Sequence, residues 1–240
     1  MSVGLCARKA NLILTSTEAT AERIKKLGAR NIQIYSQIGL NKDEINELQH
    51  LSYHGSPPFR VVSIGRLLHW KGFHLSLKGF ARFYEKFPDS EYWFIGNGPE
   101  EQNLKKLSCK LGISKSVYFL DNRPRHEVLK KLEECNILLH PSLHDSAGLV
   151  CLEAMAAGKP VICLDTGGPA LQVTDETGFK IPALNPEQAV KDLSEAMIKL
   201  AQNNELRLCM SEAGRKRVAE YFDWDKKGEF INSIYQEIVL

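Results

Sequence analysis

Short apolar runs alternate with amphipathic stretches along most of this chain, and from Phe59 the alternation is regular. The runs RVVSIG at 60–65, EYWFIG at 91–96, SVYFLD at 116–121, NILLH at 136–140, PVICLD at 160–165 and GFKIP at 178–182 read as strands. Helical periodicity lies between them, within Gly72 to Phe87, Pro99 to Leu111, Pro124 to Cys135 and Leu149 to Ala157. Parallel neighbours need crossover connections, so this order predicts an α/β fold with a doubly wound, mostly parallel sheet. Ligands of such sheets sit over the strand C-termini, which makes the loops after the strands the candidate site.

The flanking segments are less regular. Asn11 to Thr15 and Ile32 to Tyr35 read as strands around a helix that Thr17 opens and that runs from Thr20 to Gly28. Two strands and one helix leave apolar surface open, so residues 1–40 read as the tail of a domain whose larger part is absent. Residues 41–58 mix charge, glycine and the Pro57-Pro58 pair, the composition of a linker, with a short helix near Asp43 to Leu48. Residues 59–222 form the regular domain, closing with helices over Pro186 to Gln202 and Glu205 to Tyr221. A final helix, Trp224 to Val239 within a segment 223–240, either covers the finished sheet or crosses back to the N-terminal segment.

Composition narrows the function classes. The 240 residues carry 31 basic and 29 acidic side chains, a net charge of +2, which gives no general electrostatic reason to expect nucleic acid or an anionic membrane as partner. Any anion must be met by local groups. The six cysteines show no C-x-x-C spacing and read as reduced thiols rather than disulfides or zinc ligands, as in a reducing cytoplasm. No metal site is expected. The apolar run Leu12 to Leu14 is too short for a signal-peptide core, and no segment approaches about 18 apolar residues, so no transmembrane segment is expected.

Four loops carry candidate chemistry. Gly65-Arg66-Leu67-Leu68-His69-Trp70-Lys71-Gly72 follows the first regular strand. Its guanidinium, its ammonium and the next helix N-terminus suit a pyrophosphate, although two solvated cations would read the same way. Gly96-Asn97-Gly98-Pro99-Glu100 is a weak G-x-G fingerprint, equally explained by a tight turn with Pro99 opening a helix. His140 to Gly148 carries Asp145, and Glu153 lies eight residues further on, so both carboxylates can face the crevice and accept hydrogen bonds from a vicinal diol. Glu153 could instead be a helix-dipole partner, and His140 and His144 read as structural histidines. Thr166-Gly167-Gly168-Pro169 is either an anion nest or a plain turn.

Together these loops resemble the donor-binding domain of retaining glycosyltransferases with the GT-B fold. The resemblance covers Phe59 to Leu240 and rests on G-R-L-x-x-x-K-G at Gly65 to Gly72, G-N-G-P at Gly96 to Pro99, P-S at Pro141-Ser142, and L-E-A-M-A-A-G-K-P-V-I at Leu152 to Ile162. It implies a Rossmann-like domain with extra C-terminal helices that binds a UDP-, GDP- or ADP-sugar as donor, with no further cofactor. Arg66, Lys71 and Asp145 would carry the catalysis of a hexosyl transfer. Gly65, Arg66, Lys71, Gly98, Ser142, Gly148, Leu149 and Glu153 would contact the donor, with Glu153 on the ribose. The resemblance also implies an acceptor glycan or lipid-linked sugar, a cytoplasmic place with peripheral membrane contact left open, and a missing N-terminal domain or partner chain.

Two departures stand out. Asp145 occupies the position of the first Glu of the family's E-x7-E, and residues 1–40 resemble only the end of the family's first domain. A catalytically silent nucleotide-sugar-binding subunit is therefore the alternative to an enzyme, and a sugar-nucleotide epimerase a more distant one.

Overall fold

The apolar runs and helical stretches fold into the expected order. The computed structural model describes residues 2–51 and 58–239; Pro57 of the expected linker lies outside the described residues. In chain order come α1 (Val3–Lys9), β1 (Ile13–Thr15), α2 (Glu18–Lys26), β2 (Ile32–Ile34), α3 (Lys42–Gln49), β3 (Arg60–Ile64), α4 (Phe73–Tyr84), β4 (Glu91–Ile95), α5 (Glu101–Lys110) and β5 (Val117–Leu120). They continue with α6 (Arg125–Glu133), β6 (Ile137–His140), α7 (Leu149–Ala156), β7 (Val161–Leu164), α8 (Gly167–Gln172), β8 (Gly178–Ile181), α9 (Pro186–Gln202), α10 (Asn204–Tyr221) and α11 (Trp224–Val239).

The main sheet has six parallel strands in the order β5-β4-β3-β6-β7-β8, and β1 and β2 form a separate parallel pair. The order reverses between β3 and β6, which are neighbours although three helices and two strands separate them in the chain. At such a switch point the loops after the two strands diverge to opposite faces and leave a crevice between them. The core confirms why these runs are strands. Ile137, Leu138, Leu139, Val161, Ile162 and Cys163 are all fully buried, as a sheet covered on both faces requires.

Several boundaries differ from the sequence reading for identifiable reasons. Helix α5 begins at Glu101, not Pro99, and the N-cap Glu100 gives its N–H to the carbonyl of Leu67 at 3.0 Å. Residues 41–51 are not a free linker: α3 is closed by a capping box between Asn41 and Glu44, and its Ile45 and Leu48 are buried in the core. Helix α1 was unforeseen, since seven residues with one buried position carry little periodicity. Cys135, Cys151 and Cys163 are buried, but Cys6, Cys109 and Cys209 are exposed. Burial pushes the Cys135 and Cys163 thiols up to about 12, which makes them inert. Among the described residues no helix is long and apolar enough to cross a membrane.

Helix α11 lies against the N-terminal segment. Tyr35 stacks on Phe230 at 5.0 Å and donates its hydroxyl to the Lys227 carbonyl, while Lys227 Nζ donates to the Ser36 carbonyl at 2.5 Å and sits 3.9 Å from the centre of the Tyr35 ring. Lys227 is 4% exposed, and burial lowers its ammonium to about 8. An unfolded lysine titrates near ~10.4, so between these values the unfolded chain holds more protons than the native one and stability rises with pH. The stability difference between wild type and Lys227→Met is therefore expected to shift in favour of wild type from pH about 7.5 to about 9.5. Paired denaturant melts check this; a difference independent of pH refutes it.

Candidate functional site

Two loops meet over the switch point. The chain leaves β3 at Gly65, whose φ of 143° suits glycine and where an added Cβ would touch nothing within 4 Å, so the space above it is open. Arg66 is exposed, and its guanidinium has no hydrogen bond or ion pair among the described residues. A short 3-10 turn, His69–Lys71, then delivers Lys71 beside the second loop. The two loops touch at Gly72, where an added Cβ would lie 2.0 Å from the Pro141 carbonyl oxygen.

Lys71 is not free. Its Nζ lies 2.5 Å from Asp145 Oδ2, and His140 Nε2 lies 3.1 Å from the same oxygen. Asp145 Oδ1 accepts from the backbone N–H groups of Ala147 at 3.1 Å and Gly148 at 3.0 Å, just ahead of α7. Burial opposes the charge on Asp145, but the hydrogen bonds and charges of His140 and Lys71 outweigh it and hold the carboxyl well below the usual carboxylate range. His140 is 2% exposed and its Nδ1 has no partner among the described residues, so its one bond goes to Asp145. His144, by contrast, is exposed.

Helix α7 supplies the remaining groups. Gly148 caps it in the left-handed conformation, and the first-turn N–H groups of Leu149 and Val150 precede any intrahelical acceptor, so they can meet an anion. Glu153 lies on the next turn, partly buried, with Oε1 3.4 Å from Arg125 Nε. Burial raises its carboxyl, with Arg125 acting in the opposite sense and Glu44 and Glu47 adding repulsion. Arg125 also pairs with Glu47 at 2.7 Å, so α3, α6 and α7 are linked through one guanidinium. Glu153 lies beyond the first turn of α7, and its charge meets Arg125 of α6 instead of the helix N-terminus.

Other expected site residues take structural positions. Ser142 is buried, and its hydroxyl donates to the Trp70 and His144 carbonyls, so it ties the loops together instead of presenting itself to the crevice. Gly98 comes close to Leu67: an added Cβ would lie 2.4 Å from the Leu67 oxygen. Thr166 to Pro169 is neither a plain turn nor an open nest. Gly167 and Gly168 begin α8, and the Gly168 N–H is taken by the Asp145 carbonyl at 2.8 Å. Beside Asp145 a cleft of about 770 Å³ runs to the start of α2, with Thr17, Arg23, His144, Thr166 and Lys180 among its lining.

The sequence matches the family described as glycosyl transferases group 1 over residues 49–217. The chain belongs to this family. It is 31% identical over 192 residues to a D-inositol 3-phosphate glycosyltransferase of Corynebacterium jeikeium, a match covering 75% of this chain and 45% of that protein. It is 29% identical over 222 residues to the lipopolysaccharide core biosynthesis glycosyltransferase LpsE of Rhizobium meliloti, covering 90% of this chain and 61% of LpsE. Among solved structures, Anabaena HepE in complex with UDP superposes with a TM-score of 0.79 at 20% identity, covering 98% of this chain and 66% of that one. At this identity the likeness concerns the fold, which is that of GT-B glycosyltransferases. This group 1 glycosyl transferase chain thus spans about half of the curated relatives it matches and corresponds to their C-terminal part. Within it, His140, read as structural, is buried against Asp145, and Arg125, the partner of Glu153, is the residue that sequence reasoning missed. Arg125 gave only one signal, a cation at the helix opening after a strand.

Proposed function

We propose that this chain is the donor half of a retaining glycosyltransferase, which takes a hexosyl group from a UDP-, GDP- or ADP-sugar to an acceptor glycan or lipid-linked sugar. The observation that supports this reading is the meeting of the loops after β3 and β6 at the switch point, which sets Lys71 against Asp145 just ahead of α7, with exposed Arg66 on the first loop and Glu153 on α7. Arg66 and the first turn of α7 would grip the diphosphate, and positive charge there stabilises the leaving group as its bond to the sugar breaks. Gly65 leaves room for the phosphates, and Glu153 would accept the two ribose hydroxyls, with Arg125 keeping it ionised against its burial. That HepE was solved with UDP supports a uridine nucleotide as the first to test. A place in the cytoplasm, with the acceptor side met by a further domain or chain, belongs to the same proposal.

Calorimetry of the chain against UDP, GDP, ADP and their sugars tests the reading. Micromolar to millimolar binding of one nucleotide is expected, and Glu153→Ala should abolish most of it while leaving the fold intact. No binding across the whole panel would refute a donor site. The silent-subunit reading draws on one observation, that all four protein donors around Asp145 leave no oxygen position open toward a sugar. Binding without transfer or donor hydrolysis, even with an acceptor domain supplied, would decide for it.

A further inference from the structure

We infer that Asp145 is the anchor of Lys71 and of the α7 N-terminus, not a sugar-facing acid, and that Lys71–Asp145 is a self-quenched phosphate contact from which an incoming diphosphate must draw the lysine away. The inference rests on the donor-site reading for its ligand.

An ionised carboxylate offers about four acceptor positions. Here all are used: Lys71 Nζ and His140 Nε2 on Oδ2, and the N–H groups of Ala147 and Gly148 on Oδ1. Bonds to the N–H groups two and three residues ahead are within the reach of an Asp side chain, as in Asx turns and helix caps. Such turns are formed by Asp and Asn, not by the longer glutamate. Asp145 stands where the resembling family has Glu, and here it closes an Asx-type turn just ahead of α7.

The Asp145 backbone is also clamped. Its carbonyl oxygen receives the Gly168 N–H at 2.8 Å, and Gly167 sits so close that an added Cβ would lie 2.2 Å from that oxygen. Lys71, on a flexible four-carbon stem, is the partner that can move. The pair is sheltered, with side-chain exposures of 21% for Lys71 and 13% for Asp145, so water screens it little. The two cations of the loop are therefore unequal: Arg66 is available, whereas Lys71 is already neutralised. A diphosphate at this loop both competes for the ammonium and feels the aspartate's charge.

Removing that charge while keeping the turn separates the two roles. Asparagine keeps an Oδ1 acceptor for both N–H groups and forms Asx turns as aspartate does. Asp145→Asn is expected to bind the nucleoside diphosphate, and inorganic pyrophosphate, on the order of fivefold tighter than wild type, with nucleoside monophosphate binding unchanged. Asp145→Glu, which keeps the charge and loses the turn, should instead melt several degrees lower. Should Asp145→Asn itself melt early, Asp145→Ser, whose hydroxyl forms the analogous turn, takes its place. Unchanged or weaker pyrophosphate binding in the folded Asn or Ser variant overturns the inference. Pyrophosphate needs none of the nucleotide contacts, so absence of nucleotide binding in every variant would sink the donor reading while the pyrophosphate comparison still decides the role of Asp145.

Discussion

Arg66→Ala is expected to weaken nucleoside diphosphate binding by about 10- to 100-fold, the range of one or two charge-assisted hydrogen bonds lost from a phosphate. Arg66 is the cation of its loop with no competing carboxylate among the described residues, and Gly65 beside it leaves open space for a ligand. A guanidinium can give two parallel N–H bonds to one phosphate, whereas an ammonium gives a single compact charge. Arg66→Lys should therefore fall between wild type and Arg66→Ala. Because Arg66 is exposed and supports no other residue, neither variant should lose stability, and thermal melts run beside the titrations separate binding from folding. Binding of Arg66→Ala within about twofold of wild type would remove the phosphate role.

Gly72→Ala should be the most disruptive substitution of a single methyl group in the loop. Gly72 has φ 67°, a conformation that costs an L-residue about 1–2 kcal/mol, and it both ends the His69–Lys71 turn and precedes α4. Its added Cβ would meet the Pro141 carbonyl oxygen at 2.0 Å, backbone against backbone, with no flexible side chain to yield. The loops after β3 and β6 must then separate, which also pulls Lys71 from Asp145. A total loss of about 3 kcal/mol is expected. Gly112→Ala is the matched control, since Gly112 has φ 73° but nothing within 4 Å of an added Cβ. It should show the conformational cost alone, about 1–2 kcal/mol. Equal losses for the two variants in urea titrations would show that the Pro141 contact is easily relieved.

The six strands of the main sheet were legible because a strand buried on both faces needs an unbroken apolar run, and Ile137–His140 and Val161–Leu164 have one. Helix α9 was legible to the residue: Asn185 accepts the Gln188 N–H, Pro186 stands in the first turn, and the apolar period persists to Gln202. The start of α5 was read two residues early, at Pro99, where the chain still turns and Glu100 bonds to Leu67 of a different βα loop. Short helices such as α1 and α8 escaped because so few residues carry no period.

By itself the sequence determined the order of elements, the parallel sheet and the four loops that gather over its C-terminal edge. These follow from local periodicity and from the rule that parallel strands need crossovers. The helix that carries Glu153 followed for the same reason. What tertiary structure alone decided is which charge meets which. Asp145 finds two of its donors within three residues and another, His140, five residues back, but the fourth, Lys71, is 74 residues away, and Lys227 reaches Ser36 across 191. Such pairs depend on side-chain atoms coming within about 3–4 Å, where attraction and desolvation are both large, and no periodicity along the chain encodes that distance.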